Sequence, residues 1–411
     1  MSESISVFDL VVAGAGVAGL ALAAAAKRAL GPGVSIALLD PSPVAAPAPG
    51  PAAPLRTVAI AEGSRRLLER LGAWGAVAPK AQPILSMEIM DGGVRDAVRL
   101  AHLHFNAKSG EALAHMAFVD DVVAALAEVC RRLGVERMAV SVEDWRPGKH
   151  VGELKLSDGG AIRARLAVAA DGARSRLRML ANISTIGWDY DQRGVVATVE
   201  HERDHGGRAE QHFLPAGPFA ILPLPGLRSS IVWNESRADA EALLKLEPED
   251  LARQLEYRFT PKLGEIRLAS RVEAFPLGFQ IARRFVGERL ALVGDAAHVV
   301  HPLAGQGLNL GLRDVAALAE AIVGEMWLGL DPGAKAPLKA YERARRFDAA
   351  ANGIGMDAMN RLFSNDLAPL RLLRDLGLRL VDRAPPLKDL FIAEAAGAGR
   401  GAPKLLRGLA L

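Results

Sequence analysis

Residues 290–293 form a short apolar run suited to a buried parallel strand. Gly294 and Asp295 end it, and Gly305, Gln306, Gly307, Leu308 and Asn309 lead into an apolar-periodic helix. A helix start leaves backbone N–H groups unsatisfied and carries partial positive charge. Such a site suits the N1/C2=O edge of an isoalloxazine, where negative charge collects on reduction. Asp295, at the strand end, is placed to hold ribityl hydroxyls, and Gln306 and Asn309 to order the ring. The chemistry expected of this segment is flavin redox chemistry.

A second constellation lies at the other end of the chain. Gly14, Gly16 and Gly19, with Val17 and Ala18 between the last two, spell GxGxxG directly after an apolar strand and before a helix. The glycines let backbone approach a pyrophosphate at the helix N-terminus, and Asp40, about 20 residues further on, is placed for the adenosine ribose hydroxyls. Three glycines can be mere turn formers, but the matched strand, helix and acid favour dinucleotide binding. The motif by itself does not separate FAD from NAD. His301 and Pro302 are expected to shape a wall beside the flavin's reactive face, and His298 to be a packed or hydrogen-bonded side chain. No metal is expected, because no histidine or carboxylate cluster at ligand spacing accompanies them.

The elements that must position these residues are legible as patterns. Residues 7–13 read as a strand, 14–19 as a tight turn, 20–30 as a helix and 34–40 as a second strand, a βαβ unit. Residues 41–54 are too proline-rich for either element. Helices are expected over 61–71 and 121–133, strands over 135–145 and 152–156, and a buried strand in AIRARLAVAADG. From 194 to 235 short strands separated by DHGG, PAGP and PGLR suggest an antiparallel sheet. Helices follow Pro332, broken at Ala384-Pro385-Pro386.

The 411 residues, half of them hydrophobic, allow two domains or one composite. A net charge of +3 with interspersed signs gives nucleic-acid binding little support. The single cysteine, Cys130, excludes an intrachain disulfide and reads as an ordinary helix residue. The apolar run 10–26, followed by Lys27 and Arg28, has the wrong charge order for a signal and falls short of the roughly 20 residues of a span.

The stretch HPLAGQGLNLGLRDV resembles the second flavin motif of aromatic flavoprotein monooxygenases of the para-hydroxybenzoate hydroxylase type, and most of all the ubiquinone-biosynthesis hydroxylases among them. AVAADGARSRLR resembles their DG motif, which implies FAD and NAD(P)H contacts at Asp171 and Gly172, with Arg174, Arg176 and Arg178 as candidates for nicotinamide phosphates. Arg56 matches an arginine that the family places near the flavin. Val119, Asp120 and Asp121 stand where relatives often carry an asparagine or arginine that helps hold it. The segment GWDYDQRGVVATVEHERDHGGRAEQHFLPAGPFAILPLPGLRSSIVW resembles the family's substrate sheet, with Phe213, Phe219, Leu222, Leu224 and Trp233 as a candidate apolar wall or plain core.

The resemblance implies an α/β fold: a discontinuous Rossmann-like FAD-binding domain (1–75, 97–180, 275–330), an inserted antiparallel β substrate domain (76–96, 181–274) and C-terminal helices (331–411). It implies a monooxygenase in which NADH or NADPH reduces FAD, O2 adds at flavin C4a and the hydroperoxide hydroxylates a polyprenylated phenol of the ubiquinone pathway. A flavoprotein reductase or dehydrogenase acting on isoprenoids, or a non-catalytic FAD-fold lipid carrier, are the alternatives. A cytoplasmic protein is expected, meeting its substrate at the inner membrane face or in a quinone-biosynthesis protein complex. Lys388, Arg400, Lys404 and Arg407, interleaved with Leu390, Phe391, Ile392, Leu405, Leu406 and Leu409, form a candidate interfacial tail, with packing on the body as the other reading.

Overall fold

The structure is a computed structural model that describes residues 5–42, 56–91, 101–214, 216–256, 258–259, 261–301, 305–363, 397, 399 and 401–411. In chain order the elements that matter for the site are β1 (Val7–Ala13), α1 (Val17–Leu30), β2 (Ile36–Leu39), β3 (Thr57–Ala61), α2 (Glu62–Leu71) and α3 (Val119–Arg132). They continue with β4 (Ala161–Ala169), β5 (Thr185–His201), β6 (Arg208–Leu214), β7 (Gly217–Leu224), β8 (Arg228–Ser236), β9 (Glu273–Ala282), β10 (Leu290–Leu292), α4 (Gln306–Trp327) and α5 (Lys335–Phe363).

Apolar runs without alternation become strands buried on both faces. β10, β4, β1 and β2 lie side by side and parallel, so their carboxyl ends share one edge. Leu166 to Ala169 and Leu290 to Val293 have no exposed surface. α1 packs an alanine-rich face into this core. It begins at Val17, inside the glycine motif and earlier than the pattern suggested, because Gly16 in extended conformation is its N-cap. The strand expected over 135–145 is two strands. Glu136–Met138 extends the parallel sheet beside β2, whereas Val142–Arg146 turns into an antiparallel meander with Gly152–Leu156.

A second sheet runs His298–Val299, β9, β5, β8, β7, β6, Ser86–Asp91, Ala101–Asn106. It is antiparallel except where Ser86–Asp91 lies parallel to β6. β5 starts well before residue 194 and bridges both halves of the molecule. Its register shifts between Asp189 and Gln192, where Asp191 takes φ 57°. Period-2 alternation divides the faces: Phe219, Ile221, Ile231 and Trp233 pack against the helices Arg237–Leu243 and Pro248–Glu256, leaving their neighbours on the opposite face. A small third sheet, β3, Ala114–Phe118 and Gln82–Ile84, stands above that opposite face.

The two long helices are tied to the sheet edge by a buried carboxylate. Asp314 has no exposed surface; its Oδ2 accepts from the Gly294 N–H (3.0 Å) and from His298 Nε2 (2.6 Å), and its Oδ1 from Arg345 Nε (2.8 Å). Burial pushes its pKa up, but His298 and Arg345 pull it further down, so the net shift is downward. Asp314→Ala should leave His298 Nε2, the Gly294 N–H and Arg345 Nε without their shared acceptor, with Arg345 keeping only Asp348 (2.5 Å) among the described residues, and destabilise the fold by about 3 kcal/mol, read as a lowered urea midpoint, with Asp314→Asn losing less.

Candidate flavin site and adjoining cavity

The loops following β1, β4 and β10 meet because those strands are adjacent and parallel. Gly14 has φ 108°, and a Cβ there would lie 2.3 Å from Ala170 O; one on Gly19 would lie 1.9 Å from Gly14 O. Gly294 packs on Ala18 and on the Cα of Gly311. These three glycines are demanded by the chain itself. Gly16 is exposed, and a Cβ there would meet nothing within 4 Å. Open space at the N-terminus of α1, with neither a side-chain cap nor an acid in the first turn, is what the backbone of Gly16, Val17 and Ala18 needs to receive an anionic pyrophosphate. The residues present fit a dinucleotide there.

Asp40 turns one carboxylate oxygen to the Ala15 N–H (2.7 Å) and the other to the Ser42 N–H (2.8 Å). Each oxygen keeps a lone pair for a ribose hydroxyl. Asp171 accepts from the Ser175 hydroxyl (2.5 Å) and the Leu177 N–H (3.1 Å), so its carboxylate shapes its own turn, with Gly172 at φ 82°. Arg178 is not a surface arginine: it is 5 % exposed and donates to Ala296 O (2.8 Å) and Ala173 O (2.9 Å), bracing the Gly294–Ala296 turn. Arg174 and Arg176 are exposed.

Asp295 follows β10 in that turn. Its side chain is reachable by solvent but recessed among protein atoms, and desolvation raises its pKa, with His298 and Arg56 opposing and Asp314 adding to the rise. Among the described residues it has no hydrogen-bond partner, unlike the committed carboxylates of Asp171 and Asp314. Gly305, at φ 63°, is the N-cap of α4, and that helix start also lacks a side-chain cap and a first-turn acid. Gln306, Gly307 and Leu308 are half-buried there, and a Cβ on Gly307 would meet nothing within 4 Å. Asn309 is otherwise engaged: its Oδ1 accepts from the Ala61 N–H (2.9 Å), and its Nδ2 donates to Ala59 O (2.8 Å) and Gly305 O (3.1 Å), fastening α4 to β3.

His301 has no exposed surface and, among the described residues, neither ring nitrogen has a partner; it meets Tyr190 edge-on at 5.3 Å. Burial lowers its pKa to about 4, with Asp357 opposing the shift, so the ring is neutral at neutral pH. Pro302 lies outside the described residues. Cys130 is buried, with Sγ against Leu20 O (3.3 Å), and burial pushes its thiol up to about 12, which leaves it inert. Asp120 and Asp121 occupy the first turn of α3, next to Val119, and Asp121 pairs with Lys80 (2.6 Å).

Beside the start of α4 lies a cavity of about 340 Å³ between β3 and the inner face of the second sheet. Arg56, Thr57, Ala59 and Gly305 line one side, and Val196, Ala220, Leu222, Val232 and Leu277 the other. Thr57 and Ser230 close it with a hydroxyl contact of 2.8 Å. Of the expected apolar wall only Leu222 faces this space. Phe219 and Trp233 point to the opposite core, and Phe213 and Leu224 are buried outside the lining. Period 2 was the signal available in the sequence, but without the position of β3 neither parity could be chosen. The tail is likewise packed: Leu405 and Leu406 are 4 % and 1 % exposed, and the Lys404 N–H donates to Glu320 (3.1 Å). That is the body-packed reading, with Arg407 in the same short turn and Leu409 exposed; Lys388, Leu390, Phe391, Ile392 and Arg400 lie outside the described residues.

Comparison with known proteins places this geometry. The FAD binding domain family matches residues 8–352. The chain is 43% identical to ubiquinone hydroxylase UbiL of Rhodospirillum rubrum, over 98% of this chain and 94% of that protein. It is 35% identical to 3-demethoxyubiquinol 3-hydroxylase of Escherichia coli, over 84% of this chain and 87% of that one. The fold is shared with p-nitrophenol 4-monooxygenase PnpA from Pseudomonas putida, with a TM-score of 0.77 at 20% identity, covering 97% of this chain and 100% of that one.

Two outcomes follow from the geometry. Gly16→Val should fold with a near-parental melting temperature yet retain little FAD, whereas Gly14→Val should be destabilised outright; flavin absorbance and thermal melting separate the two. For His301, an unfolded imidazole takes up a proton near pH 6.5 while the folded one stays neutral down to about 4. The unfolded state thus binds more protons in that window, and stability falls as pH drops through it. His301→Gln should lose roughly 3 kcal/mol less than the parent between those limits, measured by urea unfolding at each pH.

Proposed function

Since the chain belongs to the FAD-binding family that includes the ubiquinone-biosynthesis hydroxylases, we propose that it hydroxylates a polyprenylated phenol on the ubiquinone pathway, with NADH or NADPH as reductant and O2 as oxidant. The observation that supports this reading is the cavity of about 340 Å³ opening beside the glycine-rich start of α4. It is lined mainly by apolar groups and carries few polar ones, as suits an aromatic ring.

In this reading Gly16, Val17 and Ala18 present backbone N–H groups to the FAD pyrophosphate, and Asp40 holds the adenosine ribose. Asp295, without another hydrogen-bond partner among the described residues, takes the ribityl hydroxyls, and Arg56 meets the cofactor from the cavity side. Gly305, Gln306, Gly307 and Leu308 aim the positive end of α4 at the flavin carbonyl edge. Gly294, Gly172 and Asp171 shape the turns, while Asn309 sets the position of the helix. Reduced FAD supplies the activation of O2. The protein's own task is to orient the ring and keep water out, and the neutral His301, unpartnered among the described residues, suits an apolar wall rather than a general base at neutral pH. Arg174 and Arg176 remain open for nicotinamide phosphates.

We assign residues 1–75, 97–180 and 275–330 to the cofactor part, 76–96 and 181–274 to the substrate part and 331–411 to the C-terminal helical region, except that Ala101–Asn106 and β9 run in the second sheet and go with the substrate part. No helix among the described residues is long and apolar enough to cross a membrane. A prenylated substrate then calls for delivery from a membrane surface or from a quinone-biosynthesis complex.

With a prenylated phenol and NAD(P)H, labelled oxygen gas should place one atom of label in the product, detected by mass spectrometry. Label arriving only from water, or reduction without oxygen incorporation, would replace the hydroxylase reading by a reductase one.

A further inference from the structure

The cavity wall holds a polar side chain that nothing among the described residues satisfies. Asn234 lies on β8, lines the cavity and is 3 % exposed, yet its Oδ1 has no hydrogen-bond partner among the described residues. Buried polar atoms are almost always paired, because leaving one unmade forfeits its hydration without return. The surroundings keep this amide clear. Gly194 is its cross-strand partner on β5, and a Cβ there would stand 3.5 Å from Asn234 Oδ1. On the other side a Cβ on Gly217 would lie 2.9 Å from Asn234 Cβ. Bare backbone flanks the amide, and Val196, Ala220 and Val232 make the floor around it apolar. Rotation about its last torsion exchanges oxygen and nitrogen, so the group can accept from a hydroxyl or donate to an ether or carbonyl oxygen.

Phe275 lines the same cavity and is 41 % exposed, which marks the opening. At about 340 Å³ the space is near the lower end of ligand pockets. It takes one ring, and a long hydrocarbon chain must extend outward past Phe275.

We propose that Asn234 is a positioning residue, whose amide hydrogen-bonds an oxygen substituent of the substrate's aromatic ring and fixes the orientation of that ring inside the cavity. The identity of the ring rests on the hydroxylase reading above; the polar anchor rests on the cavity itself.

The test is a titration of the FAD-loaded protein with 2-geranylphenol and with geranylbenzene, the same molecule without its oxygen, followed by perturbation of the flavin spectrum. The parent chain should bind the phenol about tenfold more tightly, the worth of one hydrogen bond. Asn234→Leu, similar in shape but unable to hydrogen-bond, should bind both equally while keeping FAD content and melting temperature. Asn234→Asp should recover part of the preference. In turnover, Asn234→Leu should oxidise NAD(P)H with a smaller share appearing as hydroxylated product. A tenfold preference surviving in Asn234→Leu, or no preference in the parent, overturns the assignment. A parent that prefers the phenol and loses that preference in Asn234→Leu, yet forms no oxygenated product, upholds the anchor and defeats the hydroxylase reading instead.

Discussion

At the carboxyl ends of three parallel strands the backbone must pass so close to itself that no side chain fits. A Cβ at Gly14 would sit against the carbonyl of Ala170, and one at Gly19 against the carbonyl of Gly14. Gly294 and Gly311 cross with Cα atoms nearly in contact beside Ala18. Everything that defines the candidate site hangs from this approach, because it brings the starts of α1 and α4 to a common edge. Two helix N-termini there are left without side-chain caps. Uncapped N–H groups are tolerable only where water or a ligand completes them.

Side chains around this edge divide into two kinds. Asp314, Arg345, His298, Arg178 and Asn309 are buried and committed: each makes at least one hydrogen bond that holds a loop or a helix. Their pairing offsets the cost of burial. Asp295, Gly16 and Gly307 are uncommitted and face open space or the recess. Rigidity and availability are thus assigned to different residues, which is how a binding edge stays fixed while its contact atoms remain free.

The second sheet applies the same division to its two faces. Trp233 stacks under Arg258 at 4.0 Å and donates to Glu235 (2.7 Å), which also accepts from Arg258 (3.3 Å), so the polar groups of the outer face pair with one another. The inner face carries mostly apolar side chains, a threonine–serine contact, Thr198, Gln211 and Glu273, and the Asn234 oxygen, which has no partner among the described residues. A cavity of that composition selects for a flat, mostly apolar ligand with few polar substituents.

Much of this was legible in the chain. GxGxxG with Asp40, the Gly294–Asp295 turn and the glycine-rich start of α4 are local patterns, and local sterics and dipoles decide them without reference to distant residues. The strands around them are continuous apolar runs, which mark burial on both faces. Other features depended on what lies across the fold. Arg178 reads as a candidate for nicotinamide phosphates until Ala296 is found beside it, and Asn309 as a residue ordering the flavin ring until β3 claims its amide. Which parity of β7 and β8 faces the cavity is settled by where β3 rests, and the C-terminal leucines by the groove they fill. Sequence by itself determined the turns and periodicities, since those are properties of neighbouring residues. Tertiary structure alone decided which polar groups are spent and which are free, because a hydrogen bond between residues far apart in the chain has no local trace.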